Sequence, residues 1–536
     1  MSVEQDVGLV QPADPRWRPP GVIRTEETHT AVLYFTEDLV YKRKKPLDLG
    51  FLDFRDRAAR LAACQAEVEL NRRLAPDVYL GVMDVRDEHG QVCDHMVVMR
   101  RMPASRQLAR LVRAGFRVDE QLRGIARTVA AFHERCETSE EISDAGSQAT
   151  LEGLWREGLA GLAPFRGTVL DAGLVDEIGR LALRYLAGRG PLLAERQRAG
   201  RIRDGHGDLQ AEDIYCLDDG PRILDCLEFD RRFRVGDVLG DIAFLAMDLE
   251  RLGAPDEAER LMAWYREFSG ETHPPSLEHL YIAYRAFVRA KVRCIRGAQG
   301  DPDAGEQARR LADLAYRHLR RGRVRLVLVG GLPGTGKSTL AGRLAAAEDG
   351  RVLLRSDVIR KELTSANGPW AAAAATAPAA AASPGGRAAG TGLGNAPLDG
   401  ADPGRRHTEP GIGEGIYRPE VTQATYIELL RRARRALERG ETVILDASWS
   451  TSAQRAAAAR LADETSADLI ELRCVTSPEV AAARIARRAA GNDPSDATPA
   501  VARAMAAWAD PWPTAKVIQT SVPVGEALGV AERYLA

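Results

Sequence analysis

The sequence predicts two domains of different class: a two-lobed α+β domain over residues 1–321, then an α/β domain with a parallel sheet over 322–536. Three observations carry this. Strand-like runs crowd the segment before residue 100 and helical spacing dominates from there to 320, the order expected of an α+β domain. From residue 326 onward, short apolar runs alternate with helical patterns, which is how a parallel sheet with helices on both faces reads. A chain of 536 residues and 58.3 kDa also exceeds what one hydrophobic core usually organises.

In chain order, residues 31–35 and 39–41 are apolar or β-branched runs split by the turn-prone Thr36-Glu37-Asp38, so two strands are expected. Helical periodicity follows over 54–74, a strand over 96–99 and a helix over 121–133. Residues 151–194 and 255–296 keep mostly helical spacing. A turn at 301–303, a helix over 305–320 and Gly322 as its stop place the boundary near Arg321. Beyond it, strands are expected at 326–329, 352–354, 443–445, 469–474 and 516–518. Residues 368–415 interrupt the alternation with Ala, Gly and Pro and almost nothing large and apolar. Such a segment cannot bury enough surface to offset its ordering entropy, and a disordered insertion is expected.

A formal net charge of −2 argues against a protein whose main task is coating nucleic acid or anionic membrane. The seven cysteines are scattered, with no CxxC or Cys/His pair at metal spacing, so reduced thiols are expected. Residues 1–20 hold acids and prolines without an apolar stretch, and nowhere do about 18 apolar residues run together. No membrane insertion and a cytoplasmic location are the expectations.

The most specific signal is Gly331-Leu332-Pro333-Gly334-Thr335-Gly336-Lys337-Ser338, which fills GxxxxGK[ST] between an apolar run and a helical pattern continuing through Thr339. Glycines let the backbone turn its N–H groups toward one centre, and the helix start adds its positive dipole end. Polyphosphate fits such a centre. Lys337 is placed to reach the β- and γ-phosphates and the Ser338 hydroxyl to take a position on Mg²⁺.

In the first domain, His206-Gly207-Asp208 is followed by Asp213 and, twelve residues later, Asp225. This run resembles the HGDxxxxN catalytic loop and metal-binding Asp of the aminoglycoside phosphotransferase branch of the protein-kinase-like fold. The resemblance implies Asp208 as the base, His206 as an organiser of the loop, Asp225 and Asp213 as Mg²⁺ ligands, and Asp241 as a brace beneath the loop. The family's Asn falls on Asp213, a departure that adds negative charge beside the ATP phosphates. Lys42 resembles the lysine that contacts the α- and β-phosphates, with Glu67 as its partner. Strand alternation puts Lys44 on the same face as Lys42, leaving the assignment between them open. Longer stretches, including Tyr41-Lys42-Arg43-Lys44-Lys45-Pro46 and Asn71-Arg72-Arg73-Leu74-Ala75-Pro76, resemble a bacterial family that fuses a phosphotransferase-like domain to a P-loop, AAA-type or gluconate-kinase-like ATP-binding domain.

In the second domain, Ser356-Asp357-Val358-Ile359-Arg360 follows the second strand, and Asp446 ends the third. Asp357 sits where a strand end meets the phosphate loop, the usual ligand crevice of an open parallel sheet. By resemblance to gluconate kinases, zeta toxins and polynucleotide kinases, Asp357 faces the acceptor hydroxyl, Arg360 anchors substrate and Asp446 acts on Mg²⁺. Arg484, Arg487 and Arg488, on one helix after the fourth strand, are the implied lid arginines.

The function expected is therefore a phosphotransferase that uses ATP and Mg²⁺ on a hydroxyl of a small molecule. Two alternatives remain: a regulatory ATP-binding protein with an inactive kinase-like domain, favoured by Asp213, and a nucleic-acid 5′-hydroxyl kinase, favoured by the basic run 317–325.

Overall fold

The computed structural model describes residues 18–28, 30–48, 53–365, 418–488 and 499–535, with the side chain of Arg488 among those left aside. The expected insertion at 368–415 falls outside the described residues. The chain divides into two compact units, Met1–Arg323 and Val324–Ala536.

Unit 1 opens with an antiparallel five-stranded sheet of order β1-β2-β3-β5-β4, formed by β1 (Arg24–Glu27), β2 (Ala31–Phe35), β3 (Leu39–Lys44), β4 (Tyr79–Arg86) and β5 (Val92–Arg100). Helix α1 (Arg57–Asn71) is inserted between β3 and β4. Its buried side, Ala63, Cys64, Glu67 and Val68, meets the sheet in a core with Val40, Val97 and Met99. Period-two alternation sends Val40, Lys42 and Lys44 to one face of β3, and that face is the one α1 covers. One sheet with one helix after its third strand, followed by a helical lobe, is the two-lobed kinase-like arrangement.

The helical lobe runs through α2 (Leu108–Arg113), α3 (Asp119–Arg135), α4 (Glu140–Asp144), α5 (Gln148–Leu162), α6 (Ala172–Ala187) and α7 (Gly190–Arg198). After four short strands come α8 (Val238–Arg251), α9 (Pro255–Ser269), α10 (Pro275–Ala298) and α11 (Ala304–Arg321). α8 is buried without a break from Val238 to Leu249, because its sequence is apolar all round except for Asp241 and Asp248. The short strands pair two by two, β6 (Ile202–Asp204) with β9 (Val235–Asp237) and β7 (Ile214–Leu217) with β8 (Gly220–Ile223). The segment from Gly205 to Asp213 is thus clamped between two small ladders. The strand that the family pattern ends at Asp225 stops at Ile223, and Asp225 takes a left-handed backbone at φ 64°.

Unit 2 is a parallel five-stranded sheet of order β11-β12-β10-β13-β14, made of β10 (Arg325–Gly330), β11 (Arg351–Arg355), β12 (Thr442–Asp446), β13 (Asp468–Val475) and β14 (Lys516–Gln519). α12 (Lys337–Ala346) follows β10, and α13 (Ser356–Thr364) follows β11. The central β10 is buried at all six positions, as a strand covered on both faces must be. Register brings Asp446 opposite both Val329 and Arg355, so the carboxyl ends of three strands finish level with the Gly331 loop. The core joins Val327, Val329, Leu340, Leu344, Ile444, Leu472 and Ile518.

Ile444 is fully buried at the centre of that core. Ile444→Ala should destabilise the protein by about 2–5 kcal/mol through lost transfer energy and a residual cavity. Equilibrium denaturation measures this, and a change below about 1 kcal/mol would mean the core repacks freely.

Candidate functional site

Glu67 is completely buried on α1 and receives two lysines from β3: Lys42 Nζ lies 2.8 Å from its Oε1 and Lys44 Nζ 2.6 Å from its Oε2. Lys42 also reaches Asp225 Oδ1 at 2.7 Å, whereas Lys44 turns to Glu228. The two lysines are thereby told apart. Lys42 faces the cleft at Asp225, while Lys44, 1% exposed, is locked in the interior. Burial alone would lower the Lys42 pKa, but Asp225, Glu67 and Glu228 outweigh it and raise it well above the usual lysine range. Burial likewise pushes Glu67 up, and the two lysines overcome this to hold it ionised.

Below the sheet, the segment carrying Asp208 is held by one carboxylate of α8. Asp241 Oδ2 accepts from the His206 backbone N–H at 2.6 Å, and Oδ1 accepts from that of Gly207 at 2.9 Å. Asp241 is itself buried; burial opposes its ionised form, and His133 and Arg285 restore it to below the usual carboxylate range. Gly207 sits at φ 85° with Arg234 packed where a Cβ would go, so no other residue fits the bend. His206 Nε2 lies 3.2 Å from the Leu224 carbonyl oxygen, and the Asp208 N–H points at Nδ1 from 3.4 Å. That pair of partners fixes the Nε2–H tautomer. Burial lowers the His206 pKa to about 4, so the ring is neutral at pH 7.

Burial raises the Asp208 carboxyl to about 6, an effect Arg289 moderates and Asp225 reinforces. Gln210 Nε2 donates to Asp208 Oδ2 at 2.8 Å. Asp213 is also raised, first by burial and then by the charges of Asp225 and Asp208. Asp225 goes the other way, because Lys42 holds it below the usual carboxylate range. Within one centre, two aspartates are thus pushed up and the third is held down. The upward push on Asp213 opposes the extra negative charge that the sequence departure brings. Asn71 closes the frame by accepting from the Cys226 N–H at 2.8 Å and donating to the Glu67 carbonyl oxygen at 2.8 Å.

In unit 2 the phosphate-loop pattern is a bend between β10 and α12. Gly331, Gly334 and Gly336 have φ of 138°, 81° and 85°. A Cβ at Gly331 would lie 2.6 Å from the Cys474 carbonyl oxygen, one at Gly334 2.5 Å from that of Ala481, and one at Gly336 3.2 Å from Arg484 Nη1. Leu332 accepts at its carbonyl oxygen from the Thr335 hydroxyl at 2.7 Å, and Pro333 is buried beneath the bend. Lys337 is buried at the first position of α12. A cavity of about 420 Å³ opens on the loop, bounded by Lys337, Ser338 and Thr339 on one side and Arg484, Arg487 and Val522 on the other. Arg484 Nη2 donates to the Thr520 carbonyl oxygen at 2.6 Å, and the Thr520 hydroxyl donates to the Thr335 carbonyl oxygen at 2.5 Å. The residue that follows the last strand thereby braces the loop.

Asp446 is buried, with Oδ2 accepting from Arg355 Nε at 3.2 Å and Oδ1 without a hydrogen-bond partner among the described residues. Asp357 Oδ1 accepts from Arg360 Nη1 at 3.2 Å in the first turn of α13. Both charges act on Tyr426, whose hydroxyl meets Ser448 Oγ at 3.1 Å and accepts from the Trp449 N–H at 3.1 Å. Trp449 has φ 53°, a strained setting for a bulky residue, and Arg455 Nη1 holds its carbonyl oxygen at 2.8 Å.

Sequence reasoning passed over Glu228, Gln210, Asn71, Arg355 and Thr520 as site residues. Glu228 and Thr520 bear no motif; they matter through partners far away in the chain. Among the described residues, no three His, Cys, Asp or Glu side chains gather to hold a metal ion by themselves. A nucleotide-bound Mg²⁺ asks for only one or two carboxylates, the rest being phosphate and water. The buried Asp446 oxygen at the end of the strand next to the phosphate loop's own, and the 47% exposed side chain of Asp225, fit that requirement.

Comparison with known proteins matches residues 326–512 to the AAA domain family. Uncharacterized protein Rv2004c of Mycobacterium tuberculosis (strain ATCC 25618 / H37Rv) is 39% identical over 510 residues, covering 95% of this chain and 94% of that protein. Among solved structures, the GDP and kanamycin complex of APH(2″)-IIia shares 15% identity over 55% of this chain and 94% of its own, with a TM-score of 0.36. A gluconokinase from Sinorhizobium meliloti 1021 shares 15% identity over 39% of this chain and 91% of its own, with a TM-score of 0.23.

Asp241→Ala strands the buried N–H groups of His206 and Gly207, each at about 1–3 kcal/mol. Denaturation should show at least that loss, and hydrogen exchange should quicken at residues 205–208. Protection unchanged at those amides would show that the carboxylate does not hold the loop.

Proposed function

The chain belongs to the family of the mycobacterial protein Rv2004c, and from its two sites we propose an ATP-dependent phosphotransferase with two kinase-like domains, acting on a hydroxyl of a small molecule. The domains are a phosphotransferase-like one over 1–321 and a P-loop kinase-like one over 322–536. The observation that carries this reading is the glycine bend at 331–336, with Lys337, Ser338, Arg484 and Arg487 lining the cavity beside it.

In unit 2, the loop amides and Lys337 bind the β- and γ-phosphates, and Ser338 with Asp446 would hold Mg²⁺. Asp357 orients the acceptor hydroxyl and takes its proton, while Arg360 anchors the acceptor. The hydroxyl oxygen bonds to the γ-phosphorus as the bond to the bridging oxygen breaks, and ADP leaves. Arg484 and Arg487 offset charge on the moving phosphoryl, with Arg488 on the same helix. In unit 1, Lys42 sets the α- and β-phosphates, Asp225 and Asp213 would hold Mg²⁺, and Asp208 accepts the proton. When bound, Mg²⁺ supplies positive charge across the phosphates at either site.

The regulatory alternative loses its main support if Asp213 is protonated, because the extra charge then disappears from the cleft. The nucleic-acid alternative leaned on the run 317–325, yet His318 and Arg325 are buried and the run is divided between the units. Among the described residues no helix is long and apolar enough to cross a membrane. A cytoplasmic small-molecule kinase is the proposal consistent with these facts.

Lys337→Ala should remove about 3 kcal/mol of transition-state stabilisation, roughly a hundredfold in rate, from turnover in unit 2. Asp208→Asn should abolish the turnover that remains, whereas Asp213→Asn should retain or raise it. ADP release measured for the three variants of the full chain tests this. ADP release that survives Lys337→Ala combined with Asp208→Asn defeats the reading.

The Asp208 carboxyl, raised to about 6, must be ionised to accept a proton. Turnover in the Lys337→Ala protein should therefore be low below pH 6 and climb as pH rises through about 6. A pH–rate profile flat between pH 5 and 7 would remove Asp208 from the role of base.

A further inference from the structure

Helix α10 is docked against the reaction centre of unit 1 by Arg285. Its Nε donates to the Gly240 carbonyl oxygen at 3.0 Å and its Nη1 to that of Gly207 at 3.2 Å, one residue before Asp208. From this anchor Arg289, Arg293 and Arg296 continue at spacings of four, four and three, on one face of the helix. Each step of four advances about 6 Å. The stripe thus starts at the loop of the proposed base and leads away from it.

Arg289 and Arg293 are partly buried, and among the described residues neither has an ion pair or a side-chain hydrogen bond. Neighbouring charges are already matched: Arg251 Nε holds Asp248 Oδ1 at 2.7 Å, and Arg113 Nη2 holds Glu212 Oε1 at 2.7 Å. Burial loosens the Arg293 proton, and Arg289, Arg296 and Arg251 loosen it further, the sign of a positive cluster short of counter-charge. Arg289 is the foremost positive charge acting on the Asp208 carboxyl. A merely solvated basic face would project into water. Half-buried guanidinium groups without partners carry a desolvation penalty that a bound anion would relieve.

We propose that Arg289 and Arg293 form the acceptor subsite of unit 1, and that its acceptor is an anion: a hydroxyl compound bearing a carboxylate or phosphate, held by the two guanidinium groups with its hydroxyl at Asp208. A cationic acceptor would meet repulsion along the same approach. The proposal rests on the phosphotransfer reading of unit 1 for its hydroxyl at Asp208, but the anion subsite can be measured without turnover.

The test uses the full chain with Lys337→Ala, so that the phosphate loop does not contribute anion binding. Calorimetric titrations compare sn-glycerol 3-phosphate and gluconate with neutral glycerol and with the cations choline and kanamycin. The anions should bind and the others should not. Arg289→Ala with Arg293→Ala should weaken anion binding at least tenfold, and Arg289→Lys with Arg293→Lys should recover part of it. Unchanged melting temperatures show that the substitutions leave the fold intact. No anion binding, anion binding indifferent to both arginines, or equal binding of the cations overturns the proposal. ADP release from the same mixtures separates the two layers: anion binding that depends on the arginines, without release that depends on Asp208, upholds the subsite and refutes phosphotransfer.

Discussion

A carboxylate taken wholly out of water must be answered by positive charge, and in unit 1 that requirement falls on Glu67. Its two oxygens draw Lys42 and Lys44 inward from one face of β3, which fixes the sheet against α1. Lys42 then has its second bond free for Asp225, and Lys44 for Glu228. The charge of Asp225 in turn adds to the burial that pushes the Asp213 and Asp208 carboxyls up. A single buried ion therefore reaches the cleft through two steps. Removing one partner of such a group leaves the others stranded, so the cluster holds or fails together.

Much of this architecture was legible in the chain because it depends on local chemistry. Apolar strands alternating with helices from residue 326 announced the parallel sheet, and all five strands form there. The bend at 331–336 was legible because only glycine tolerates its backbone angles. Strands β6 to β9 were not, since three or four residues hold too little periodicity to register, although they clamp the Asp208 segment. Partners distant in sequence were equally hidden. Nothing around Glu228 signals that it meets a lysine 184 positions away. The α10 arginines did leave a mark, a spacing of four, four and three, but the segment reads first as an ordinary amphipathic helix.

Asp213 shows how a sequence departure changes meaning in three dimensions. On a list of residues it replaces an amide with a charge. In the folded cleft its surroundings favour the protonated form, through burial and the nearness of Asp225 and Asp208. The residue type differs from the family's pattern, while the charge presented to a triphosphate need not.

The three glycines of the unit 2 bend are each backed by a different part of the fold: β13 at Cys474, the following helix at Ala481, and Arg484 on that same helix. In evolutionary terms the loop is not a detachable cassette. Drift at any of the three positions requires matching change in β13 or in the helix after it, so these segments should be inherited as a block. Grafting 331–338 alone onto another sheet would carry over the letters of the motif without the walls that give it shape.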